Sequence, residues 1–106
     1  MDDSRDLLDR SQIDAALESL PGWSYDGEAL TRRADVPSDS QDAMVEALAQ
    51  VADAMDHHPD VSREPDSLVL RLWTHSEDGV TAKDVELAAR VDQVLSGSAT
   101  DTGTTG

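Results

Sequence analysis

The feature that most constrains the fold is a strictly alternating segment at residues 67–74. One side of the segment carries Leu68, Leu70 and Leu72. The other side carries Val69, Arg71 and Trp73. A period of two residues is typical of a β-strand with one buried face. We therefore predict a strand whose leucines face helices and whose opposite side leaves Trp73 exposed, as an anchor for a second subunit.

Helical periodicity occupies three other segments. Their apolar positions are Ile13, Leu17 and Leu20; Met44, Leu48, Val51 and Met55; and Val85, Ala88, Val91 and Leu95. Each segment opens on a pair that resembles a capping box: Ser11 with Asp14, Ser38 with Gln41, and Thr81 with Asp84. We expect these helices to end at Pro21-Gly22, near Pro59 and at Gly97.

Three further segments predict strands. Asp26-Gly27 lies between residues 23–25 and 29–36 and favours a hairpin, while residues 60–66 form a weaker candidate because they contain Pro65. The order αββαββα predicts an α+β fold, a four-stranded antiparallel sheet covered on one face by three helices. Residues 10–97 would form this domain, after an acidic segment 1–9 and before a Gly/Thr/Ser-rich tail, 98–106, that we expect to be disordered.

Charge limits the classes of partner. The chain has 23 acidic residues against 8 basic ones, a net charge of −15, and Lys83 is its only lysine. Such a chain repels nucleic acid and anionic membranes. Its acidic, lysine-poor composition is similar to that of halophilic proteins, although an ordinary acidic protein fits equally well. No apolar run is long enough to span a membrane, so we expect a cytoplasmic protein.

Composition also favours self-association and excludes thiol chemistry. The chain has no Cys and no Phe, which leaves a thin core of Leu, Val and Ala in 106 residues. A domain of this size buries a modest share of its surface, so we expect a homodimer or homotetramer. Without Cys, neither a disulfide nor a thiol nucleophile is possible.

The three histidines fall at two element boundaries. His57 and His58 follow the second helical segment, and His75 follows the alternating strand. Side chains at such boundaries reach into clefts, and imidazole exchanges its proton near neutral pH. Polar surface residues at chain turns are the simpler interpretation. A zinc site is a third interpretation. However, adjacent histidines often point apart and no carboxylate has the spacing of H-E-x-x-H, so no metal is expected.

The spacing around these histidines resembles a family signature. Three residues separate Asp53 from His57-His58-Pro59, and His75 and Asp84 follow at the intervals found in pterin-4a-carbinolamine dehydratases. The resemblance covers about residues 7–95 and implies the fold predicted above. It further implies loss of water from a 4a-hydroxytetrahydropterin to give the quinonoid dihydropterin.

The resemblance also assigns roles. The three histidines would line the pterin site, one as general acid and another as general base. Asp53, Pro59 and Asp84 would support them; Asp53, one helical turn before His57, is expected to orient its ring. For either aspartate, a solvated helix acid is the alternative. The pterin is the substrate, and no metal or organic cofactor is implied.

Some positions depart from the family pattern. Val61 and Pro65 stand where the family has aromatic residues, Arg63 where asparagine is common, and Asp78 where a small residue is usual. These changes retain the proton-transfer groups but alter the pocket wall. The alternative function is a catalytically silent member of the fold that acts as an oligomeric protein-binding module.

Overall fold

The computed structural model describes the backbone of residues 7–104 and the side chains of residues 7–96. Three helices and four strands follow one another along the chain: α1 (Arg10–Leu17), β1 (Ser24–Tyr25), β2 (Leu30–Asp35), α2 (Gln41–Met55), β3 (Asp60–Glu64), β4 (Ser67–Leu72) and α3 (Ala82–Thr104). Short 3₁₀ turns at Ser38–Ser40 and His75–Glu77 precede α2 and follow β4. The predicted order αββαββα is therefore confirmed.

The four strands form one antiparallel sheet in the order β1-β2-β4-β3. Strand β4 lies in the interior, where β2 pairs Leu30 with Leu72 and β3 pairs Val61 with Leu70. The weak third strand forms because Pro65 lies in the turn after β3 and removes no ladder hydrogen bond from it.

One face of the sheet is buried under the helices. The leucines of β4 are buried together with residues of β2 and of all three helices: Leu68, Leu70, Leu72, Leu30, Ala34, Ile13, Leu48, Leu87, Ala88 and Val91. Val69 and Arg71, on the other side of β4, are only partly buried. This confirms the predicted packing of the β4 leucines. Leu87 was missing from the predicted stripe of α3, although it is fully buried.

The starts of α1 and α2 differ from the predicted caps. Asp9 caps α1 and forms a reciprocal capping box with Gln12, so the predicted pair of Ser11 and Asp14 is wrong. No side-chain cap precedes α2. Gln41 is buried, and its amide donates to the backbone carbonyls of Val36, Glu64 and Ser67. It therefore joins the start of α2 to the sheet.

The start of α3 agrees with its prediction. The backbone N–H of Thr81 donates to Asp84 Oδ2 (2.9 Å), and Thr81 Oγ1 accepts from the N–H of Lys83 (3.3 Å). At the other end, α3 continues through Gly97 to Thr104, so the helix end predicted at Gly97 is wrong, and residues 98–104 are helical where we predicted a disordered tail. Residues 105–106 lie outside the described part of the chain.

Part of the predicted N-terminal segment belongs to the fold. Leu7 pairs with Thr81, and the N–H of Leu8 donates to the carbonyl of Val80 at 2.9 Å. Residues 1–6 are not among those described. None of the helices within residues 7–104 has both the length and the apolar character required to cross a membrane.

Candidate functional site

The end of α2 sets the positions of two histidines. Asp56 adopts the left-handed conformation (φ 54°), and the N–H of His57 donates to the carbonyl of Ala52. A left-handed residue reverses the chain direction at a helix C-terminus. His57 and His58 therefore lie in the turn between α2 and β3, with Pro59 directly before the strand.

His57 is held by a buried carboxylate. Its Nε2 lies 2.5 Å from Oδ1 of Asp84, a residue with no exposed surface. Oδ2 of Asp84 accepts from the hydroxyl of Thr74 (2.8 Å) and from the backbone N–H of Thr81 (2.9 Å). Three donors thus converge on the carboxylate. Because an ionised carboxylate only accepts, Nε2 of His57 carries hydrogen and Nδ1 remains for a ligand.

His58 has a carboxylate partner of its own, but this pair is exposed. Nε2 of His58 lies 2.7 Å from Oδ1 of Asp53, and their side chains are 57% and 73% exposed. The prediction that Asp53 orients His57 is therefore wrong. An i, i+4 contact requires a continuous helix, and α2 ends at Met55, before His57 is reached.

His75 enters the site from the end of β4. It opens the 3₁₀ turn that closes at Asp78, a second left-handed residue (φ 59°), while Thr74 pairs with Gly79 across the turn. The imidazole of His75 stacks on the indole of Trp73, with ring centroids 4.3 Å apart and planes inclined by 17°. Trp73 is half-buried, so the prediction that it is exposed is wrong.

The three histidines line one cleft of about 650 Å³, together with Pro59, Trp73 and Lys83. Asp84 lies beneath its floor, bonded to His57, whereas Asp53 contacts only His58 among the predicted site residues. The sequence reasoning missed Thr74. Thr74 lies two residues after the buried Leu72, and this alternation could have indicated that its side chain also faces inward, past the end of the strand.

No group of three or more acidic or imidazole side chains within residues 7–96 is arranged to hold a metal ion. The histidines of the cleft instead have carboxylate or aromatic partners. The geometry provides two imidazoles oriented by carboxylates and a third fixed by stacking. Such an arrangement can donate and accept protons within a single cleft.

Fold and site together define a small α+β domain with a histidine-lined cleft at the end of its sheet. The family model for pterin 4 alpha carbinolamine dehydratase matches residues 6–94. The chain belongs to this family of hydro-lyases, which confirms the resemblance noted from its motif.

Relatives cover most of the chain. A protein of Mycolicibacterium smegmatis, provisionally named pterin-4-alpha-carbinolamine dehydratase, is 39% identical over 92 residues, 85% of this chain and 97% of its own. A protein of Sulfolobus acidocaldarius with the same provisional name is 38% identical over 88 residues, 82% of this chain and 97% of its own. The crystal structure of a transcriptional coactivator/pterin dehydratase from Brucella melitensis matches with a TM-score of 0.79 and 30% identity, over 85% of this chain and 99% of that one.

Proposed function

We propose that this chain converts a 4a-hydroxytetrahydropterin to the quinonoid dihydropterin and water by histidine general acid–base catalysis. The observation that carries the proposal is the cleft with three histidines, of which His57 is oriented by the buried Asp84. Membership of the dehydratase family supports the pterin as substrate class.

The reaction requires two proton transfers. An acid protonates the 4a-hydroxyl, which departs as water when its bond to C4a breaks. A base removes the proton from the adjacent ring nitrogen, and the electron pair of that N–H bond forms the new C=N bond. The pterin neither gains nor loses electrons to a partner, so side chains that move protons are sufficient. A positioned acid or base contributes about 10²–10⁴-fold to such a step.

The contacts favour His57 as the base. Its Nε2 is bonded to Asp84, so Nδ1 can take the ring-nitrogen proton while the carboxylate stabilises the imidazolium that forms. Asp84 cannot turn away, because Thr74 and Thr81 hold its second oxygen. The acid is then His58 or His75, both of which are exposed and can be reprotonated by water.

Stopped-flow dehydration of a synthetic 4a-hydroxytetrahydropterin tests the proposal. His57→Ala, His58→Ala and His75→Ala should each slow the reaction, and at least one by about tenfold or more. The far-UV circular dichroism should remain unchanged, since all three side chains lie outside the core. The control is the uncatalysed rate, which is subtracted. Wild-type rates in all three variants would refute histidine catalysis.

We also propose that the reaction uses no cofactor, because both transfers are assigned to side chains. Dialysis against EDTA should leave the turnover rate unchanged. If EDTA abolishes turnover and zinc restores it, the three histidines serve a metal and the acid–base assignment is wrong.

A second candidate is a catalytically silent module that binds another protein as a homodimer or homotetramer. It is favoured by the name of the Brucella melitensis protein, which includes transcriptional coactivator. Direct contact with DNA does not fit a net charge of −15, so the partner would be a protein. Purified chain with no turnover above the uncatalysed rate would favour this candidate; sedimentation measures the oligomer.

A further inference from the structure

Three side chains form a layered column at the edge of the cleft. The guanidinium carbon of Arg71 lies 5.2 Å from the centroid of the Trp73 ring, and the imidazole of His75 stacks on the same indole at 4.3 Å. Cations and aromatic rings at such distances attract the π-system of an indole. The column therefore leads from the open side of the sheet to one of the three cleft histidines.

The base of the column is anchored. Arg71 donates to Oδ2 of Asp26 (2.8 Å) and to Oε1 of Glu28 (3.4 Å), both in the hairpin between β1 and β2. These bonds restrain the guanidinium over the indole. Trp73 is consequently in contact with a basic side chain as well as with His75, and its indole is not free to receive a substrate.

The top of the column faces the cleft. His75 is an exposed residue, and Trp73 is its only ring contact among the described residues. Within the part of the cleft that the structure describes, Trp73 is the one Trp, Tyr or Phe in the wall. The aromatic positions of the family are held here by Val61 and Pro65, so a flat substrate has little else to stack on.

We propose that Trp73 is a positioning residue that fixes the ring plane of His75, so that the open face of this imidazole forms the flat wall against which the pterin stacks. The proposal rests on the proposed function for its ligand. It assigns the stacking surface to a histidine whose ring plane is fixed by the partly buried Trp73.

Nuclear magnetic resonance tests the positioning without any turnover. In the wild type, the ring protons of His75, assigned by their loss in His75→Gln, should be shifted upfield by the indole ring current. Trp73→Phe retains a ring and should retain much of the shift, whereas Trp73→Leu retains only apolar volume and should lose it. Equal shifts in the wild type and Trp73→Leu would overturn the proposal.

Equilibrium binding of 7,8-dihydropterin tests the consequence for the ligand. Trp73→Leu should weaken binding about three- to tenfold, the range that an aromatic stack spans, and Trp73→Phe should restore most of it. Should Trp73→Leu fail to fold, Arg71→Met gives a second test, because it removes only the outer layer and should weaken binding about twofold. If the variant that folds binds dihydropterin with wild-type affinity, the proposed role of the column is wrong.

A double-mutant cycle separates positioning from direct contact. If Trp73 acts through His75, Trp73→Leu should have no further effect on dihydropterin affinity in a His75→Gln background. Additive losses would show that Trp73 contacts the ligand itself and would overturn the inference. If the chain has no turnover but the effects of Trp73→Leu and His75→Gln on dihydropterin affinity are still coupled, the proposed dehydration is refuted and the positioning role stands.

Discussion

Replacing Asp84 with asparagine tests the proposed base most directly. The two oxygens of Asp84 have different partners: Oδ2 accepts from Thr74 and from the N–H of Thr81, and Oδ1 accepts from His57. An asparagine must keep its single oxygen toward the backbone N–H of Thr81, a donor that cannot reverse, so its NH₂ group has to face His57. Nε2 of His57 then becomes an acceptor, and its hydrogen moves to Nδ1. Nδ1, the proposed base, then becomes a donor.

The expected loss is large in rate and modest in stability. A wrong tautomer removes the base altogether, so kcat should fall by about 10²–10⁴-fold. The hydrogen bonds from Thr74 and Thr81 to the retained oxygen survive, while the bond to His57 no longer involves a charged carboxylate. The free energy of unfolding should therefore fall by about 1–3 kcal/mol. Stopped-flow dehydration gives kcat, urea unfolding gives the stability, and ¹⁵N chemical shifts of the His57 ring report the tautomer.

Asp53→Asn is the matched control, since it makes the same change at an exposed histidine partner. Its pair with His58 is solvated, and we expect a stability change below about 1 kcal/mol and an unchanged His57 tautomer. If Asp84→Asn keeps a wild-type kcat although the ¹⁵N shifts show the reversed tautomer, Nδ1 of His57 is not the base.

Three further predictions concern pH, salt and association. Burial raises the pKa of Asp26, but hydrogen bonds from the backbone of Ala29 and Glu28 and from Arg71 outweigh it and leave this pKa below 3.8. Because the pKa of Asp26 is lower in the folded state, its ionised form stabilises the protein at neutral pH, and this stabilisation is lost in acid. The urea midpoints of wild type and Asp26→Asn should therefore converge below pH 3.8. Midpoints that differ by the same amount at every pH would contradict this. The melting temperature should rise steeply from 0.01 to 1 M KCl, because the screening length falls from about 30 to 3 Å. A parallel series in K₂SO₄ at matched ionic strength distinguishes charge screening from the effect of ion exclusion. A melting temperature that does not change across the KCl series would refute the halophilic interpretation. The chain should sediment as a dimer or tetramer at micromolar concentration, because a domain of 106 residues buries only a modest share of its surface; a wild-type monomer would contradict association.

The fold could be predicted largely because burial follows periodicity. The alternation in β4 placed Leu68, Leu70 and Leu72 on the buried face, and the helical stripes identified Leu48 and Val91 as core residues. Helix ends were predicted less well because capping depends on backbone geometry that several residue pairs can satisfy. Asp9 with Gln12 competes with Ser11 and Asp14 for the same turn, and only the docked chain before α1 decides between them.

The sequence predicted that the three histidines lie together, but not which side chains they pair with. The spacing brought His57, His58 and His75 to one cleft, as expected for residues at neighbouring element ends. Their partners could not be predicted from the sequence, because the left-handed residue Asp56 reverses the chain and directs His57 toward α3 rather than back along α2. The stack of Trp73 on His75 was missed for a similar reason. Strand alternation extends past β4 to Thr74, but it does not apply to His75, which opens a 3₁₀ turn.

Burial is what distinguishes Asp84 from the other acidic residues of this chain. The sequence has 23 of them, so a carboxylate near a histidine is expected by chance and carries little information. Among the side chains that the structure describes, Asp84 is the one acidic residue that is buried, and it is the one bonded to His57. Removing a carboxylate from water costs several kcal/mol, and well-packed apolar residues are often as stable as a buried ion pair. Stability alone therefore does not explain why an aspartate occupies this position. Under the proposed mechanism, a requirement for one fixed tautomer of His57 explains it, and the hydroxyl of Thr74 and the backbone N–H of Thr81 complete the hydrogen bonding of the carboxylate.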